Sequence, residues 1–171
     1  AQPFPFYWPA IKLKLKREKV VHSGVHGVFA ISNDQRVLHW PSGKTGAVEL
    51  LDYIEPGHYA LVLHEHTLHL LVKSNKSDVL KMYGIDVQSH RVFVNDLSTQ
   101  LREDISDIEP GNLCFVIHAG KKKYTVNLVS NDLVDISDDA QLLKVARNIS
   151  WNYDVQQVKK HVNSGYTAVG K

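Results

Sequence analysis

The chain has 171 residues, 43% hydrophobic and 22% charged, with a formal net charge of +2. That length supports a real core, and the near-neutral balance demands neither a nucleic-acid nor a membrane partner. The single cysteine, Cys114, excludes an intramolecular disulfide and suits a reducing, cytoplasmic setting, and no apolar run approaches the ~20 residues of a membrane-spanning helix.

Residues 1–26 read as an N-terminal arm and strand. Phe4-Pro5-Phe6-Tyr7-Trp8-Pro9 is extended because proline fixes φ and removes a donor. In Ile11-Lys12-Leu13-Lys14-Leu15-Lys16 the period of two puts Lys12, Lys14 and Lys16 on one strand face. Solvated, edge-protecting lysines are the first reading of that face. A stripe for nucleic acid or another polyanion is the alternative.

Residues 27–83 form a first repeat. Val28 to Ile31 and Arg36 to Trp40 are strand signals around the turn chemistry of Ser32-Asn33-Asp34-Gln35. Ala47 to Leu51 follows as a weaker strand, then Ile54-Glu55-Pro56-Gly57. His58 to His64 and Leu68 to Lys73 make a second hairpin signal, and Val79 to Tyr83 a last strand. Residues 84–137 form the second repeat. Ile108-Glu109-Pro110-Gly111 restates the earlier four residues letter for letter, ~55 residues later. Leu113 to His118 and Tyr124 to Val129 are again a hairpin, and Asp132 to Ile136 echoes the last strand. Pro followed by Gly suits the centre of a type II turn, so both copies are expected at tight turns. In the tail, residues 138–171, Asp138-Asp139 caps a helix over Leu142, Leu143, Val145 and Ala146, and a second helix starts at Asp154.

These elements predict a mainly β, antiparallel, single domain: two propeller-blade-like repeats followed by a short C-terminal helical segment. A β-sandwich of duplicated halves is the other architecture with this pattern.

No convincing catalytic constellation stands out, and no cofactor is implied. Pro41-Ser42-Gly43-Lys44-Thr45 ends like a phosphate-binding loop. Leu38 stands where that loop needs a glycine, however, and no helical period follows. His64, His66 and His69 are metal-ligating candidates, because i and i+2 share a strand face and His69 can lie across the hairpin. They carry an alternative reading as a metal-dependent hydrolase. Asp34, Asp52, Asp104 and Asp107 read as turn and strand-end residues, and Cys114, between Leu113 and Phe115, as a small buried group. Lys121-Lys122-Lys123 is a basic hairpin tip. Trp40, His64, His66 and His118 are the expected binding residues, as aromatic and imidazole groups near the repeat tips.

The 27–83 unit, with its Ser32-Asn33-Asp34 hairpin, Val37-Leu38-His39-Trp40 strand and Leu51-Asp52-x-Ile54-Glu55-Pro56-Gly57 turn, resembles blades of bacterial β-propeller proteins. It looks closest to the propeller component associated with MoxR-type ATPases and von Willebrand factor A domain proteins. The resemblance implies a non-catalytic interaction module that binds protein partners beside an ATPase complex. A closed propeller needs at least ~4 blades, and this chain carries about two such units. It therefore reads as a piece of a longer array, a self-associating half, or a different β architecture.

Overall fold

The computed structural model describes residues 20–148 except Gly24, Asn33 and Thr45. They form three sheets, each a four-stranded antiparallel meander in which every strand pairs with the next. The first holds β1 (Val20–Ser23), β2 (Gly27–Ile31), β3 (Val37–Pro41) and β4 (Val48–Leu51). The second holds β5 (Gly57–His64), β6 (Thr67–Ser74), β7 (Leu80–Asp86) and β8 (Val92–Asp96). The third holds β9 (Asp107–Pro110), β10 (Cys114–Ala119), β11 (Lys122–Asn127) and β12 (Leu133–Asp135), followed by helix α1 (Ala140–Arg147). The mainly β, antiparallel class expected from the short strand and turn signals is present. The chain divides into two compact units between Ile54 and Glu55.

The first unit contains the sheet β1–β4. Its predicted hairpin is β2–β3, with Val28 opposite Trp40 and Ile31 opposite Val37. The turn closes through the Ser32 N–H, which donates to the Arg36 carbonyl at 2.9 Å, and Gln35 takes a left-handed φ of 67°. Arg36 spans Asp34 at 2.8 Å and Glu49 at 3.4 Å. Both strands are buried on both faces, which leaves little alternation for sequence reading to detect. Phe29 stacks on His39 at 4.1 Å, and His39 Nε2 donates to the His26 carbonyl at 2.7 Å. Pro41 ends β3, and the next element is the strand β4, so the Gly43-Lys44 stretch is a turn and not a phosphate loop.

The second unit, Glu55–Ser150, holds the other two sheets and α1. Ala60, Leu71, Leu80 and Met82 of the second sheet share one core with Phe115, Ile117, Tyr124 and Val126 of the third, closed by Leu97 and Leu101 from the connection between them. The opposite face of the third sheet turns Cys114 and Val116 toward Ala146 and Leu143 of α1. The helix starts where the acids predict it. The Asp139 side chain accepts the Leu142 N–H at 2.9 Å, and Lys144 and Arg147 lie in the last turn, favourable to the helix dipole.

The repeat read from sequence crosses the sheets. Residues 27–83 take three strands from the first sheet and most of three from the second; 84–137 take β8 and the whole third sheet. The copied hairpin occupies different places. Strands β5–β6 are the first two of their sheet, and β10–β11 are the middle two.

Neither Ile-Glu-Pro-Gly copy is a type II turn. That turn needs φ above zero at the glycine, and neither Gly57 nor Gly111 is among the described residues with positive φ. In the first copy, residues 54–56 run between β4 and β5 with no turn. In the second, Ile108 to Pro110 are strand β9, where Glu109 faces Val116 and Ile108 faces Ile117. The glycines answer crowding instead. A Cβ on Gly57 would lie 1.9 Å from the Lys73 carbonyl oxygen, and one on Gly111 would lie 2.8 Å from Cys114 Sγ and 2.9 Å from the Ala146 carbonyl oxygen.

A different repeat joins the last two strands of the second and third sheets. Asp86 Oδ1 accepts the N–H groups of Gln88 and Ser89 at 2.9 and 2.8 Å; Asn127 Oδ1 accepts those of Val129 and Ser130 at 2.8 and 3.0 Å. His90 and Asn131 then take left-handed φ of 63° and 61°. The fourth strands end alike, in Asp96-Leu97-Ser98 and Asp135-Ile136-Ser137. Ser98 Oγ accepts the Leu80 N–H at 2.9 Å and Ser137 Oγ the Lys123 N–H at 3.0 Å. These pairs recur at ~40 residues, a spacing that suits one four-stranded blade.

Candidate functional site

The histidine candidates do not converge. His64 ends β5 opposite Thr67, while His69 lies on β6 opposite Val62 and Gly84. Those two rings are coupled: burial first, and then the charge of His64, lowers the His69 pKa to about 4. His66 lies past Glu65, whose left-handed φ of 54° turns the chain at the hairpin tip, so 64 and 66 do not share a regular strand face. The carboxylate of Asp86 is held below its ordinary range by the backbone N–H groups of Ser89 and Gln88, with a smaller contribution from His66. Among the described residues no group of three His, Cys, Asp or Glu side chains could hold a metal ion. His64, His66 and His69 do not form such a group.

The other candidates separate similarly. Trp40, expected near an exposed repeat tip, is 2% exposed and belongs to the core of the first unit. Lys12, Lys14 and Lys16, with the aromatic arm and the second tail helix, lie outside the described residues. At the basic tip Lys121 is exposed, and Lys122 reaches Glu103 at 3.3 Å. Cys114 is buried, and desolvation, aided by the Glu109 charge, raises its thiol to about 11, so it is protonated and a poor nucleophile at neutral pH.

His118 has a defined setting that sequence reading did not anticipate. Its Nε2 donates to Glu109 Oε2, and Arg147 of α1 grips the same carboxylate through two bonds of 2.8 Å. Burial works to raise the Glu109 carboxyl, yet the Arg147 and His118 bonds outweigh it and hold it below the usual range. A carboxylate saturated by a guanidinium fork and an imidazole is a fastener between strand β9, strand β10 and the helix. The sequence signal was available: Glu109 and Arg147 are opposite charges, but 38 positions apart.

A cleft of about 310 Å³ opens between the β6–β7 connection and residues 98–105. Of its cations, Lys73 is engaged. Lys73 Nζ donates to the Ser74 and Ser77 carbonyls at 2.7 and 2.6 Å, and Glu103 across the cleft accepts the Tyr124 hydroxyl at 2.8 Å. With both signs of charge along its lining, this cleft favours no ligand class.

The remaining feature is apolar. Strand β8 is the edge of the second sheet, and all five of its residues are exposed: Val92 at 38%, Phe93 at 61% and Val94 at 49%, with Asn95 and Asp96 beyond. The Arg91 guanidinium lies over the Phe93 ring, 5.8 Å from its centre. Exposed edge strands are usually blunted by lysine, proline or a bulge; the apolar part of β8 has none of these.

No protein-family model, no curated protein and no solved structure matches the chain. No described helix is long and apolar enough to cross a membrane.

Proposed function

We propose that the chain is a non-catalytic protein-interaction module whose four-stranded sheets act as propeller-like blades. Its partners are proteins, and the resemblance to bacterial propeller components points to a MoxR-type ATPase with a von Willebrand factor A domain protein. The lone buried Cys114 agrees with a reducing, cytoplasmic setting.

One observation carries the reading: strand β8 leaves Val92, Phe93 and Val94 in water at a sheet edge. Solvent-facing apolar groups at an unpaired edge are what a protein partner covers, through main-chain bonds and side-chain burial together. The turn repeated between the last two strands at ~40 residues supports the blade part of the reading. The test is hydrogen exchange on the purified chain, alone and with a candidate ATPase or von Willebrand factor A partner. Added protection at residues 91–96 is expected. Turnover of a small-molecule panel by a chain that binds no protein would sink it.

A further inference from the structure

We propose that strand β8 pairs with β8 of a second copy of this chain, antiparallel, about a twofold axis at Phe93. This rests on the interaction-module reading and names one partner for it.

The backbone fixes which groups are available. On β7 and β8, Ile85 is opposite Val92 and Lys81 is opposite Asp96. The Asp86 N–H donates to the Arg91 carbonyl at 2.9 Å, and the Leu97 N–H to the Leu80 carbonyl at 2.7 Å. In an antiparallel ladder, opposite residues alternate between pairs that exchange bonds and pairs that do not. Arg91, Phe93, Asn95 and Leu97 therefore turn their N–H and C=O toward β7. Val92, Val94 and Asp96 turn theirs outward. Among the described residues no strand lies beyond β8 to receive them.

The strand is its own complement. With the axis at Phe93, Val92 of one copy faces Val94 of the other, and both residues are of the outward-bonding kind. Phe93 then faces Phe93 of the second copy in a non-bonded pair, where side chains approach most closely. Charge selects the direction. Arg91 precedes the strand and Asp96 ends it, and the Ser98 bonds keep the Asp96 carboxylate below its usual range and hence charged. Antiparallel pairing brings the basic end of each copy beside the acidic end of the other. Parallel pairing would set Asp96 beside Asp96.

The experiment is sedimentation velocity of the full chain from ~1 µM to ~1 mM. A concentration-dependent dimer is expected. Val94→Pro removes only an outward-pointing N–H, so it should weaken the dimer tenfold or more while leaving the circular dichroism and unfolding temperature in place. Register is read separately. Phe93→Cys should form a disulfide-linked dimer under mild oxidation, since Cα atoms of such a pair stand about 4.5 Å apart, whereas Val92→Cys should not. If Val94→Pro fails to fold, this cysteine pair decides the matter. A chain that stays monomeric throughout overturns the proposal, as does a dimer indifferent to Val94→Pro or one that cross-links equally through both cysteines. A monomer that binds another protein through residues 91–96 overturns self-pairing and leaves the interaction-module reading standing; a chain that does neither loses both.

Discussion

The two Ile-Glu-Pro-Gly copies have one sequence and two structures. At 54–57 the segment runs between the first and second sheets, Glu55 is exposed, and Gly57 lies under the Lys73 carbonyl. At 108–111 the segment is an edge strand, Glu109 is held by Arg147 and His118, and Gly111 is crowded by Cys114 and the end of α1. The difference teaches that four identical residues set a local backbone option, while the neighbours they meet decide its use. The second copy has a helix beside it; the first has the β6 backbone.

Substitutions at matching positions should break this comparison unequally. Gly57→Ala is the most severe, because its Cβ would fall 1.9 Å from a strand carbonyl that cannot swing away. A loss of about 3 kcal/mol in urea unfolding is expected. Gly111→Ala meets its neighbours at 2.8 to 3.0 Å, one of them a side-chain sulfur. It should cost about 2 kcal/mol, partly restored by adding Cys114→Ala; no restoration would show that the Ala146 carbonyl sets the limit.

Glu109→Gln removes the charge that Arg147 and His118 bind, and about 1–2 kcal/mol should be lost, with faster hydrogen exchange in α1. Glu55→Gln should be silent. The pH dependence has a definite sign. The Glu109 carboxyl is depressed in the folded chain, so its stabilisation is complete above the ordinary carboxylate range and fades as pH falls through the depressed value. Thermal melts of Glu109→Gln and the unaltered chain should therefore converge in acid.

The β5–β6 hairpin carries a smaller effect. His69, lowered to about 4, stays neutral when folded, while the unfolded chain takes up a proton near 6.5. The unfolded state holds more protons between those values, so stability should fall as pH drops from about 6.5 to about 4, by ~1 kcal/mol after discounting for the open part of the ring. His69→Gln should flatten that slope; an unchanged slope would place the titration elsewhere.

Much of the secondary structure was legible because its cause is local. Short apolar runs between turn residues marked β5, β6, β10 and β11 to within a residue or two, and Asp139 announced α1 three residues before the N–H it caps. Other features were hidden for stated reasons. Trp40 looked like a surface anchor because strands buried on both faces do not alternate. Strand β9 looked like a turn because proline and glycine are local turn formers, whereas an edge strand tolerates a terminal proline. The turns at 86–91 and 127–132 share only Ser89 and Ser130 at matching positions, so their common geometry is invisible until the Oδ1 bonds are seen.

The amino-acid sequence by itself determined most of the described strands, helix α1 and the antiparallel class, since each follows from apolar runs, turn chemistry and capping within a few positions. Tertiary structure alone decided where one sheet ends and the next begins. It also decided that Glu109 finds Arg147, that the histidines stay apart, and that β8 is left as an open apolar edge. Those outcomes depend on which surfaces meet across long separations in the chain, and no local pattern encodes that meeting.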